Sequence, residues 1–203
     1  VVARWGDTIM RGTPSLDVSR LRDNVLLAAE AVKQQMGQFG AHCDGVVYFP
    51  MDGRDSRRGL LCVNHEYVSI EQSFAGLPKN DEEHSRDREA WIQAHPQAVA
   101  WMQAAHGVSV LEVRRSRAGW AVDTRSRFAR RITANTVCEL TGPARNNRLL
   151  RTKADPDGSR VLGTFANCAA GRTPWGTYLT AEENIDDYFG GYRSYCGSDV
   201  ADA

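Results

Sequence analysis

Between residues 19 and 36 the apolar positions Leu21, Val25, Leu26, Ala29, Val32 and Met36 recur at helical spacing, and Gly37 follows where a helix would stop. The pattern predicts one amphipathic helix. A polar stretch over 78–87 leads into a second helical pattern at about 89–105. Its Trp91, Ala94, Ala98, Trp101 and Ala105 share a face that reads as core packing, and Pro96 is placed to break or kink it. Six short runs rich in Val, Leu, Ile, Tyr and Thr read as strands, at 45–51, 59–67, 108–115, 120–124, 132–140 and 160–167. The run at 108–115 does not alternate cleanly, and Asp155-Pro156-Asp157-Gly158 is a turn. The chain therefore reads as mainly β with helical interruptions, a pattern compatible with a barrel, a sandwich or a propeller.

Residues 161–184, VLGTFANCAAGRTPWGTYLTAEEN, concentrate the chemistry. They read as strand, turn, strand. The first strand ends at Asn167 and Cys168, residues 171–176 reverse the chain around Pro174, and 177–180 run into Glu182 and Glu183. One thiol and two carboxylates are thereby expected at neighbouring strand ends.

Composition narrows the picture from outside. With 203 residues, 42% of them apolar, and 25 basic against 25 acidic side chains, the chain can bury a core and presents no polyanion-binding excess. Nucleic acid is an unexpected partner. No apolar run reaches the roughly 18–20 residues of a membrane span, and the opening VVARWGD is neither a signal peptide nor an initiator methionine, as in a mature or trimmed product. The cysteines, Cys43, Cys62, Cys138, Cys168 and Cys196, are odd in number and lack CxxC spacing, which signals neither a disulfide framework nor a zinc site. Cys62 and Cys138 read as small core residues.

The segments RWGD (4–7), LLCVNHEY (60–67), AAHGVSVLEVRR (104–115), RRITANT (130–136), LTGPA (140–144) and the 161–184 stretch, in this order and spacing, resemble the N-terminal part of PhoX-type alkaline phosphatases. The resemblance spans nearly the whole chain, and NHEY, NCAAG, TPWGT and EEN together are far more specific than any one of them. It implies a six-bladed β-propeller that hydrolyses phosphate monoesters at a cluster of ferric iron and calcium, exported to the periplasm or cell surface. Six blades need roughly 250 residues; with the N-terminal helix and the inserted helix set aside, roughly 130 remain here, enough for about three. It is expected to be the N-terminal part of one propeller domain over 1–203, with an N-terminal extension at about 1–40 and a helical insertion at about 78–106. The remaining blades would come from the longer polypeptide or another chain.

The resemblance assigns Cys168 as a direct iron ligand. A thiolate with carboxylates suits ferric iron, and carboxylates with amide oxygens suit calcium. Glu182 and Glu183 would point to opposite faces of a continuing strand, so one of them faces the ions, with Glu182 preferred. Glu66 and Asn64 of AsnHisGluTyr complete the metal set, while His65 reads as a hydrogen-bonded structural residue and the other histidines form no ligand pair. Metal ions would neutralise the phosphate and activate an oxygen nucleophile, with no serine required. Arg130 and Arg131 are candidate phosphate contacts, against a solvated sheet edge, and Arg131 is carried as the catalytic one. Two positions depart from the family pattern: Ala181 stands where Cys is common, and Ala170 where Gly is common. Two other readings stay open, a non-catalytic calcium-binding propeller segment and a hydrolase using Cys168 as nucleophile.

Overall fold

The computed structural model describes residues 1–53, 55–185 and 188, so Cys196 lies outside the described residues. The single helix expected at 19–36 is three short pieces: 3-10 turns at Val18–Asp23 and Val25–Leu27, then α1 (Ala31–Gln35). Asn24 makes the first break. It sits in the left-handed region at φ 54, and its side-chain amide exchanges two hydrogen bonds with the Ala75 backbone, 2.8 and 3.0 Å. A two-way pairing with a distant backbone outweighs local helix periodicity. The second helical pattern holds, divided where proline requires it. After the single turn α2 (Ile70–Ser73), α3 (Ser85–Ala94) ends before His95, and α4 (Pro96–Ala105) begins with Pro96 in its first turn.

These pieces form one apolar cluster. Leu26, Ala31, Phe74, Ala98, Trp101 and Ala105 are buried together, and Trp5 meets Trp101 edge-on with ring centroids 6.5 Å apart. The N-terminal segment and the helical segment thus share a core.

A five-stranded antiparallel sheet lies beside that layer. β1 (Cys43–Asp52) pairs with β2 (Asp55–His65), and β2 with β3 (Gly107–Ser116). β3 carries β4 (Gly119–Val122) along one half of its far edge and β5 (Arg130–Ile132) along the other. Gly107 through Val113 are all buried, which explains the missing alternation: Leu111 and Val113 pack with Ile9, Phe39 and Val63, while Val108 and Val110 are buried as well.

Two hairpin-like ladders follow, β6 (Val137–Glu139) with β7 (Arg160–Leu162), and β8 (Asn167–Arg172) with β9 (Tyr178–Glu182). The strand expected at 132–140 is split by a Thr133–Thr136 turn, closed by the Thr136 N–H on the Thr133 carbonyl at 3.0 Å. The strand expected at 160–167 stops at Leu162. Asn167 and Cys168 open β8 instead, after a left-handed Ala166 at φ 49. Among the described residues the sheets do not close into a barrel, and no helix is long and apolar enough to cross a membrane.

Candidate metal centre

Three of these strands deliver donor atoms to one place. Asp44 stands near the start of β1, Glu66 just past the end of β2, and Cys168 near the start of β8; ligand atoms of all three lie within 4.8 Å of one another. The Cys168 thiol donates to Asp44 Oδ2 at 3.1 Å. Glu183, the first residue beyond β9, bears on both the Cys168 thiol and Glu66. Glu182 turns the other way, accepting from the Thr164 hydroxyl at 2.6 Å and the Phe165 N–H at 3.3 Å. Glu182, the residue preferred from the sequence, is thus engaged by Thr164 and Phe165, while Glu183 is the one of the pair whose charge acts on the cluster.

Electrostatics describe a site in want of positive charge. A hydrogen bond to Asp44, burial, and the charges of Asp44 and Glu183 push the Cys168 thiol up to about 12. Burial, then Asp44 and Glu183, raise the Glu66 carboxyl above its ordinary value. Asp44 is held below its ordinary value by donation from Cys168 and from the Gly45 N–H. Among the described residues none of the three carboxylates pairs with a cationic side chain. A thiol and two carboxylates brought together, with Glu183 adding negative charge beside them, are a donor set that fits a hard or borderline metal ion, which would lower each of these values.

Asn64 sits directly behind the cluster, wholly buried and opposite Asp44 in the β1–β2 register. Its Nδ2 donates to the Cys168 carbonyl at 2.8 Å, and its Oδ1 accepts from the Thr180 hydroxyl at 3.0 Å with Tyr178 Oη at 2.7 Å. An amide surrounded in this way has protein partners at both ends. His65 is likewise buried and structural. Its Nδ1 faces the Ala41 carbonyl at 3.0 Å, which places the proton there and leaves Nε2 to accept from the Ser109 hydroxyl at 2.7 Å. Burial and the nearby Arg131 keep it neutral, well below its ordinary value.

Arg131 is not an exposed phosphate contact. One terminal nitrogen donates to the carbonyls of Ala104, Ala105 and His106 at 2.9–3.0 Å, and the other to Ser109 Oγ at 3.1 Å. The helix C-terminus leaves those carbonyls without internal partners, and a buried guanidinium there satisfies them and the helix dipole together. Burial pulls its pKa down to about 9. Arg130 is exposed, and its guanidinium donates to the Phe128 carbonyl at 2.9 Å.

Asp44 was missed by sequence reasoning. It belongs to no motif, and the only hint is its strand partner: a hairpin that places AsnHisGlu at one strand end must place the start of the other strand beside it. Ala181 opposes the irregular Cys168–Ala169 step of β8 from across the ladder, and Ala170 does not adopt positive φ, so its methyl group costs no backbone strain.

Among curated proteins, none matches the chain. A solved structure of Pseudomonas fluorescens PhoX, in complex with vanadate as a transition-state analogue, is 35% identical, with a TM-score of 0.75 over 94% of this chain. The match covers 29% of that protein, so the present chain spans less than a third of its length. The family model described as alkaline phosphatase PhoX matches residues 1–201, and the chain belongs to that family.

Proposed function

We propose that this chain carries part of the site of a metal-dependent phosphate monoesterase, with Asp44, Glu66, Cys168 and Glu183 as its ligands to ferric iron and calcium. The observation that carries the reading is the convergence of the Cys168 thiol with the Asp44 and Glu66 carboxylates, with Glu183 bearing on them and no counter-charge among the described residues, in a chain 35% identical to a PhoX solved with vanadate, a transition-state analogue. Bound there, the ions would offset the charge of the phosphoryl oxygens and activate the attacking oxygen. The protein's own part is to hold the donors. Cys168, whose thiol donates to Asp44, would bind a cation as the thiolate with its proton released to solvent, and Asp44, Glu66 and Glu183 would supply carboxylate oxygens beside it. Asn64, Glu182 and Arg131 act at one remove, through the backbone and side chains they hold.

On the same reading the separate antiparallel sheets are consecutive parts of a six-bladed propeller, residues of about 1–40 an extension and about 78–106 a helical insertion. The other blades come from chain outside these 203 residues. The substrate class is phosphate monoesters, and the compartment is the periplasm or the exterior.

The test is iron and calcium analysis of the purified chain beside p-nitrophenyl phosphate turnover with and without added calcium. Both metals with calcium-dependent turnover are expected once the remaining blades are supplied. Metal-independent turnover that alkylation abolishes would replace this reading with a cysteine hydrolase.

A further inference from the structure

Resting on the metal-site reading above, we propose that Asn64 and Tyr178 are positioning residues that clamp two facing β-bulges together and so hold Asp44 and Cys168 side by side. The first bulge is on β1. Its register against β2 jumps between Asp44 and Val46, leaving Gly45 as the extra residue at φ 37. The second is on β8, where the register jumps between Asn167 and Ala170, so that Cys168 and Ala169 together oppose Ala181. A bulge re-aims side chains and takes backbone groups out of the ladder. Here one bulge displays Asp44 and the other Cys168, and the carbonyls freed on β8 need donors.

Asn64 supplies them. Its Nδ2 is 2.8 Å from the Cys168 carbonyl oxygen and 3.4 Å from that of Ala169. Tyr178, on β9, completes the lock from the opposite side. Its Oη lies 2.7 Å from both the Gly45 carbonyl oxygen and Asn64 Oδ1, so its single proton serves β1 or β2 while the Thr180 hydroxyl donates to Asn64 Oδ1. The two bulges are in contact at Gly45: a Cβ there would stand 2.5 Å from Asn64 Nδ2 and 2.7 Å from the Cys168 carbonyl oxygen. Without this clamp nothing in either ladder fixes the 3.1 Å separation of Cys168 Sγ and Asp44 Oδ2, since the two residues belong to different sheets.

Tyr178→Phe, made in this chain together with the remaining blades that the metal-site reading requires, removes one hydroxyl and keeps the ring. The first readout is iron and calcium affinity by chelator competition. The second, on metal-free protein, is the alkylation rate of Cys168 followed by peptide mass spectrometry, with the exposed Cys43 as internal control. A positioning role predicts affinity lower by about 10- to 100-fold and Cys168 alkylation several-fold faster, with Cys43 unchanged. Affinity and Cys168 rate both within twofold of wild type overturn the proposal. Should wild type bind neither metal while Tyr178→Phe still accelerates Cys168, the metal-site reading fails and the clamp stands. Asn64→Leu, which removes both ends of the amide, should reproduce the Cys168 acceleration, and an unchanged rate in that variant also overturns it.

Discussion

At the scale of single residues, what a side chain already holds decides what it can still do. Glu182 and Glu183 are adjacent and chemically identical, yet Glu182 accepts from Thr164 and Phe165 while Glu183 bears on Cys168 and Glu66. Glu183→Gln is therefore expected to lower bound iron and calcium markedly. Glu182→Gln should leave metal content near wild type, both measured by elemental analysis after dialysis. Glu112 illustrates the same logic away from the site. Buried on β3, its carboxylate receives Arg58 and Arg114, each at 2.7 Å, and the Ser126 hydroxyl, and these partners hold it below its ordinary value. A depressed carboxyl contributes stability that is complete above its unfolded value of ~4.3 and is lost as pH falls through the lower folded one. Urea midpoints of wild type and Glu112→Gln, measured from neutral pH downwards, should differ most at neutral pH and converge in acid.

Elements were legible in the sequence where one local signal dominated. Pro96 placed the division between α3 and α4, and the Thr-Pro-Trp-Gly turn placed the β8–β9 hairpin, because each acts through its own backbone. The helix at 19–36 was misread because Asn24 answers to Ala75, 51 residues away, and no periodicity records that pairing. The same limit hid Asp44: a bulge at Gly45 is a property of two strands in register, and the residues that close around it come from β2, β8 and β9. Cys168, Glu66 and Glu183 were legible as types at strand ends, whereas which Glu faces inward needed the ladder. Arg131 was legible as a cation and not as a staple. Its guanidinium ties β5 to the last carbonyls of α4, so Arg131→Met should strand buried acceptors and cost about 2–4 kcal/mol in urea unfolding. If Arg131 acts only there, the affinity of the folded variant for inorganic phosphate stays within about twofold of wild type; a larger loss would return it to the phosphate site.

At the scale of the whole molecule the apolar surface is unevenly finished. The helical layer and the five-stranded sheet bury Trp101, Leu111 and Ile9 almost completely, whereas the three-residue ladder β6–β7 leaves Val137 64%, Val161 47% and Leu162 58% exposed. Val137, Leu140, Leu150, Val161 and Leu162 line a groove of about 450 Å³. Two strands of this length are marginal alone, and the PhoX structure that this chain resembles is more than three times as long as the matched part. On the proposed reading, the expected occupant of the groove is chain outside these 203 residues. That assignment makes the same substitution behave differently in two contexts. In the 203-residue chain Val137→Thr and Leu162→Thr should change stability by no more than ~0.5 kcal/mol each, as exposed positions do, and should reduce self-association seen by light scattering. In the longer protein the same changes should each cost about 1 kcal/mol or more, because each removes apolar area from a closed interface. Equal and negligible costs in both would mean that the ladder faces water in the longer protein as well, and on the proposed propeller reading the next blade would have to continue from the β8–β9 hairpin alone.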